Sequence, residues 1–384
     1  MKSNKVCAII GNYFEYKALN ELVEKRPLAT IPFDGKYRLV DFQLSSLANA
    51  NIRQVFLALH HYQITSMLDH IGSGKEWGLD NLTHRYFMGF YEQFEARRTQ
   101  GKNYTAHILD FLKKSESEIT VLMSSNIVAN IDLKPFIDLH RKNGKNISAL
   151  YKKIAPENLS PVHTILSLKE DKQFVDHAHQ FDPQLDTEER VNFGIGIYII
   201  NTAWLIETIE AKFESYSEDE PLSLQAALPK ILEVEETEAF EYIGYLTPIH
   251  DVKSYYDANM DMLDSVKFNA LLYSNNRVFT KVKNEVPTYF AKGSIVRNAQ
   301  FASGSIVEGE VINSIISRNN QIDAGSSINH SIIFPGGKIH TGAKIKYAIL
   351  DKNVVVEKDV VIAGTEDKPV LIRKNSIVTA NVIA

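Results

Sequence analysis

From about residue 286 onward the chain places an aliphatic or aromatic residue at every sixth position, with small residues between. The run goes from Ile295 to Phe301, from Ile316 to Ile322 to Ile328, and, after a one-residue slip, from Ile333 to Ile339 to Ile345. Helical spacing vanishes over this stretch. One apolar residue per six can be buried only if equivalent positions of successive coils stack on one another, so residues 286–384 are expected to form a parallel β-helix of hexapeptide repeats. A solenoid with open end coils serves most simply as a scaffold or an oligomer contact.

The first 250 residues have a different texture. The runs 5–10, 54–59, 119–123, 147–152 and 194–201 are short and rich in Val, Ile and Leu, as strands buried on both faces should be. Between two of them Tyr104, Ile108 and Leu112 recur at helical spacing. Repeated β-α-β units imply an α/β, Rossmann-like domain with a mostly parallel sheet and helices on both faces. Residues 251–266 read as one amphipathic helix closing that domain. The expected division is therefore 1–250 for the sheet domain, 251–285 for the closing helix and linker, and 286–384 for the β-helix. A length of 384 residues suits more than one core. His330 and His340 lie in the solenoid coils, where an intersubunit histidine could serve an acyltransferase; a solvated turn histidine is the simpler reading, and the large domain in front favours it.

Charge narrows the partners. A net charge of −5 provides no long-range attraction to phosphate backbones, so nucleic acid is not expected. Cys7 is the only cysteine and sits in the apolar run "KVCAII", which suits a small core residue in a reducing compartment. The N-terminus lacks the pattern of a signal peptide, and no run approaches the roughly 18 apolar residues of a membrane span, so a cytoplasmic protein without membrane contact is expected.

Ligands of open α/β sheets bind outside the carboxyl ends of the strands. One such end is "VLMSSNIV" (121–128), where the apolar run gives way to Ser124, Ser125 and Asn126. A catalytic carboxylate would be expected there, and hydroxyls and an amide stand in its place. The adjacent His60 and His61 at another strand end point opposite ways and suit loop packing better than a shared metal.

The stretch "RPLATIPFDGKYRLVDFQLSSLANANIRQVFLAL" (26–59), with "LDHIGSGKEWGLD" (68–80) and "YYDANMDML" (255–263), resembles signatures of the ADP-glucose pyrophosphorylase (glucose-1-phosphate adenylyltransferase) family. The resemblance spans essentially the whole chain. It implies a GT-A-like nucleotidyltransferase domain followed by a left-handed β-helix, and a chemistry that joins ATP to glucose 1-phosphate with Mg²⁺, forming ADP-glucose and pyrophosphate. Such chemistry needs charge neutralisation and in-line positioning, with hard oxygen ligands for the metal.

This chain departs from the family at each of those parts. The glycine-rich G-G-x-G-x-R-L falls on Tyr13, Phe14, Glu15, Tyr16, Lys17, Ala18 and Leu19. The R-A-K-P lysine falls on Leu28, and the two metal carboxylates fall on Ser125 and Pro248. No counterpart of F-x-E-K-P lies between Lys172 and Asn192, although Gly196 and Tyr198 keep part of the sugar-pocket strand. Losing two carboxylates and two cations should cost on the order of 10⁴-fold in rate. No catalytic residue, metal site or cofactor is therefore expected. Asp132 and Asp251, near the vacated positions in sequence, are the acids that could shift into them.

The basic positions of the family's effector pocket fall on Lys25, Arg26 and Arg38, with Lys36 beside them. They are expected to receive small phosphorylated effectors or phosphate, the competing reading being a solvated charge run or salt bridges to Asp34 and Asp41. Together these features imply a catalytically deficient regulatory subunit in a hetero-oligomer, most simply a heterotetramer, with a catalytic glucose-1-phosphate adenylyltransferase subunit. The alternatives are an active pyrophosphorylase with relocated ligands and a stand-alone sugar-phosphate or nucleotide sensor.

Overall fold

The computed structural model describes residues 5–11, 17–24, 26–81, 85–103, 105–171, 173–214, 231–232, 235–274 and 276–384. They form two compact units, bounded as Met1–Glu15, Val40–Pro248 and Ser274–Phe279 for the first, and Tyr16–Leu39, Ile249–Tyr273 and Thr280–Ala384 for the second.

In the first unit each predicted apolar run is a strand. The strands are β1 (Val6–Gly11), β2 (Gln54–Leu59), β3 (Arg85–Phe90), β4 (Ile119–Met123), β5 (Ile127–Ala129), β6 (Ile147–Ile154), β7 (Thr164–Leu168), β8 (Val175–Gln180), β9 (Val191–Asn201), β10 (Glu238–Glu241) and β11 (Leu246–Pro248). The main sheet runs β8-β7-β9-β4-β1-β2-β3, with β6 pairing β9 and β10. Strands β4, β1, β2 and β3 are mutually parallel. β9 runs antiparallel to β4, β6 and β7, so the sheet is mixed. The helix Ala106–Ser115 buries Ile108, Leu109, Phe111 and Leu112 in a core shared with Cys7, Ile9, Phe56 and Tyr198. Tyr104 of the predicted pattern lies outside the described residues.

In the second unit residues 289–383 wind into the left-handed parallel β-helix expected from the repeat and the resemblance, with three parallel sheets as its sides. Its interior columns are Val307-Ile322-Ile339-Val356, Val311-Ile328-Ile345-Ile362 and Phe301-Ile316-Ile333-Leu350. The slip has a repeated physical cause. Ile322, Ile328, Ile333 and Ile339 are six, five and six residues apart, so each regular coil has one short side. Its corner is turned by Asn298, Asn313, His330 and Tyr347, all in the left-handed region (φ 43, 45, 43 and 48°), which tightens the bend by one residue. The step from Ile295 to Phe301 needs correction for this reason: both Ile295 and Val296 are exposed in this end coil, and Val296 is the residue in register with Val311. Ile295 and Val296 are both aliphatic, and only the five-residue side decides between them.

The single helix expected over 251–266 is two. Val252–Met260 is capped by Asp251, and Ser265–Leu272 by Asp264, whose carboxylate accepts from the backbone N–H groups of Val266 and Lys267. The hairpin Pro32–Phe33/Tyr37–Arg38 is fastened to the first of these helices. The Tyr255 hydroxyl donates to the Pro32 carbonyl, and the Asn259 side-chain oxygen accepts from the Asp34 N–H at 3.0 Å. Tyr256 donates to the His330 carbonyl at 2.7 Å. The motifs "PFDGKYR" and "YYDANMD" are thus a structural staple within one unit. At the hairpin tip Gly35 has φ +69°, and an added Cβ would stand 3.3 Å from the Ile316 carbonyl oxygen.

Candidate functional site

At the carboxyl end of β4 the backbone N–H of Ser124 donates to the Gly196 carbonyl at 3.0 Å, tying this strand end to β9. Gly196 has φ +69°, and a Cβ there would lie 2.5 Å from the Ser124 hydroxyl oxygen, so the bulge in β9 requires glycine. Ser125 and Asn126 are both buried. The chain then enters β5, which pairs antiparallel with β11 so that Ile127 faces Pro248. Pro248 thus stands opposite Ile127 at the end of this ribbon nearer Ser125, which lies two residues before Ile127. Gln43, also buried, donates to the Ile127 carbonyl at 3.0 Å and anchors the same turn.

These residues do not fit a magnesium site. A hydroxyl and a proline ring offer no anionic oxygen, and Mg²⁺ prefers carboxylates and phosphates in a strict octahedron. The two acids that could have replaced them are otherwise engaged. Asp132 caps the helix Leu133–Asn143 through the Lys134 N–H, and Asp251 caps Val252–Met260 in a reciprocal capping box with Ser254. Among the described residues no group of three or more His, Cys, Asp or Glu side chains is placed to hold a metal ion.

Of the remaining predicted residues, Tyr198 lies in the hydrophobic core with its phenol pushed far above the usual range by burial. Leu28 is buried in the second unit, at the start of the short helix Leu28–Thr30. Tyr13, Phe14, Glu15, Tyr16 and Lys25 lie outside the described residues. His60 bonds Glu92 through Nδ1 at 3.1 Å, and the His61 backbone N–H donates to the same carboxylate at 2.9 Å.

The cationic residues of the second unit are placed as follows. Arg26 is 5% exposed; it forms an ion pair with Asp351, itself 1% exposed, and lies over the Phe334 ring at 5.7 Å. Arg38, also buried, donates to the Thr30 carbonyl at 2.7 Å. Lys36 is exposed above the Tyr37 ring at 4.8 Å. Arg26 lines a cavity of about 200 Å³ together with Glu21, Glu24, Asp351, Arg373 and Lys374, a set that includes neither Lys36 nor Arg38. Sequence reading missed Asp351, Arg373 and Lys374, which stand more than 300 residues from Arg26 along the chain.

A family model described as "Nucleotidyl transferase" matches residues 18–265, and one described as "GlmU-like, C-terminal hexapeptide" matches residues 286–381. The chain is 27% identical over 384 residues to the "Glycogen biosynthesis protein GlgD" of Bacillus subtilis, covering 98% of both chains. It is also 27% identical over 349 residues to the "Glucose-1-phosphate adenylyltransferase" of Bacillus cereus and to that of Bacillus anthracis, covering 90% of this chain and 91% of each relative. Among the described residues no helix is long and apolar enough to cross a membrane.

Proposed function

The chain belongs to the nucleotidyl transferase family, as a GlgD-like member of its glucose-1-phosphate adenylyltransferase branch, and on that premise we propose that it is a catalytically deficient regulatory subunit acting in glycogen synthesis. The observation that carries this reading is the pairing of Ile127 with Pro248, which leaves Ser125, two residues before Ile127, and Pro248 at the same end of one ribbon, the two positions where the resemblance calls for metal carboxylates. A cleft that cannot anchor Mg²⁺ through the protein loses the ion that neutralises a triphosphate, and with it several kcal/mol of transition-state stabilisation.

The partner in this reading is a catalytic glucose-1-phosphate adenylyltransferase subunit in a cytoplasmic heterotetramer. Likeness to relatives of both names over nearly the whole length supports a chain that keeps the architecture and so the means to assemble. A coupling of a few kcal/mol would suffice for it to alter the partner's output. Small phosphorylated effectors or phosphate are proposed as ligands of the basic residues Lys25, Arg26, Lys36 and Arg38.

The test is to purify the chain alone and co-expressed with a catalytic paralogue, then measure complex mass and ADP-glucose formation. The expected result is a stable complex whose rate or effector response differs from that of the catalytic subunit alone. Absence of both a complex and a rate change would favour a stand-alone sensor and overturn the regulatory reading.

A further inference from the structure

At the outer edge of the sheet unit a cavity of about 390 Å³ opens between strand β3 and the helix Ala106–Ser115. Strand register builds it. Gln54 pairs with Arg85 and Phe56 with Phe87, so these four side chains share one face of the β2–β3 pair. β3 is the last strand of the sheet, and Phe87 on it is only half-buried, whereas Phe56 and Phe111 are buried. Three rings line the cavity: Phe111 has its centroid 5.4 Å from that of Phe56 and 5.4 Å from that of Phe87. The charged groups around them are unequally matched. Lys114 and Asp110, one helical turn apart, pair at 2.9 Å and are both largely exposed. Arg85 is exposed and has no such partner: its guanidinium lies over the Phe87 ring at 4.8 Å, and among the described residues its side chain makes no ion pair or hydrogen bond. A guanidinium stacked on a ring is held in place while its planar fork stays open to a carboxylate.

We infer that this cavity binds a small carboxylic acid with an apolar body, the body resting on Phe56, Phe87 and Phe111 and the carboxylate taken by the fork of Arg85. The volume lies in the range of about 300–1,000 Å³ usual for small-molecule sites, and aromatic walls with one convergent charge are their ordinary furnishing. Charge selects a single carboxylate: with Lys114 and Asp110 cancelling, Arg85 is the one uncompensated charge lining the cavity, and the second charge of a phosphate monoester would face Asp110 with nothing to match it. At one end of the cavity the Gln54 side chain donates to the Ser115 carbonyl at 3.4 Å, tying the first residue of β2 to the last of the helix. Because β2 and β3 run parallel to β1 and β4, this end lies across the sheet from Ser125 at the carboxyl end of β4. The site is therefore separate from the positions of the lost metal carboxylates, and it does not rest on the regulatory reading.

The experiment is a calorimetric titration of 3-phenylpropionate into the full chain, beside its neutral amide and beside acetate, repeated on the Arg85→Gln and Phe87→Leu variants with thermal melts to verify folding. Arg85 is exposed, so Arg85→Gln is expected to fold as the native chain does even if Phe87→Leu does not. The acid should bind with a dissociation constant of about 1 mM or tighter. It should bind about 10-fold more tightly than the amide, the difference being one charge-assisted hydrogen-bonded pair, and acetate, which lacks the apolar body, should give no measurable heat. Arg85→Gln should abolish the preference for acid over amide, and Phe87→Leu should weaken both. Equal affinity for acid and amide in the native chain, or an affinity for the acid that neither substitution changes, overturns the inference. So does the absence of any heat from the acid in a native chain with an intact melt.

Discussion

Asp34, at the tip of the hairpin beside Gly35, is held in an unfavourable state on two counts. Its φ of 47° is in the left-handed region, and its carboxyl is buried with Oδ1 lacking a partner. Burial pushes its pKa up to about 8 from an ordinary 3.8, with Lys36 pulling it partly back. Between those values the folded chain holds a proton that the unfolded chain has released, so this group's contribution to stability falls as pH rises from about 4 to 8 and is flat above. Asp34→Asn keeps a side chain that tolerates this backbone and removes the charge. Its melting temperature should therefore exceed that of the native chain by an amount that widens from pH 5 to pH 8; a gap independent of pH would show that Asp34 is ionised in the fold. The capping acids make a second test at this scale. Asparagine caps about as well as aspartate, so Asp132→Asn and Asp251→Asn should leave stability within about 0.5 kcal/mol in urea titrations and leave any residual ADP-glucose formation unchanged. A loss of turnover in either variant would mark that carboxylate as a relocated metal ligand.

At the scale of elements, how much was legible depended on whether the signal was local. The six-residue period of Ile316, Ile322 and Ile328 declares a solenoid because nothing else buries that pattern. The short side of each coil was visible only as a slip, since non-glycine corner residues such as His330 and Tyr347 carry no turn signal by themselves. The break between the helices Val252–Met260 and Ser265–Leu272 was missed because the apolar pattern runs on past Asp264, whose role as a cap shows only in its bonds to Val266 and Lys267. The site was legible as substitutions at Ser125 and Pro248, but that both lie at the same end of the β5–β11 ribbon needed the structure. Asp351 could not have been matched with Arg26 from sequence, since no periodicity links a loop near the start to a coil near the end. The clamp between β4 and β9 gives a prediction for an element. Gly196→Ala should destabilise the chain by about 2–4 kcal/mol through its positive φ and the clash with Ser124, and Ser124→Gly in the same chain should recover the steric part. Urea titrations of the single and double variants measure both, and equal stability of the two would remove the clash from the account.

Across the whole molecule, the sheet unit and the solenoid of a nucleotidyl transferase are both present, and among the described residues no group of three or more His, Cys, Asp or Glu side chains is placed to hold a metal ion. Retaining both units is consistent with a role exerted through assembly, because a partner surface depends on the fold rather than on any one carboxylate. The central claim is catalytic deficiency, and its most direct test is the rate of ADP-glucose formation by the purified chain alone, at saturating ATP, glucose 1-phosphate and Mg²⁺, beside a catalytic paralogue assayed identically. The rate expected of this chain is lower by on the order of 10⁴-fold or more; a rate within about 100-fold of the paralogue's, less than 3 kcal/mol in barrier, would contradict catalytic deficiency.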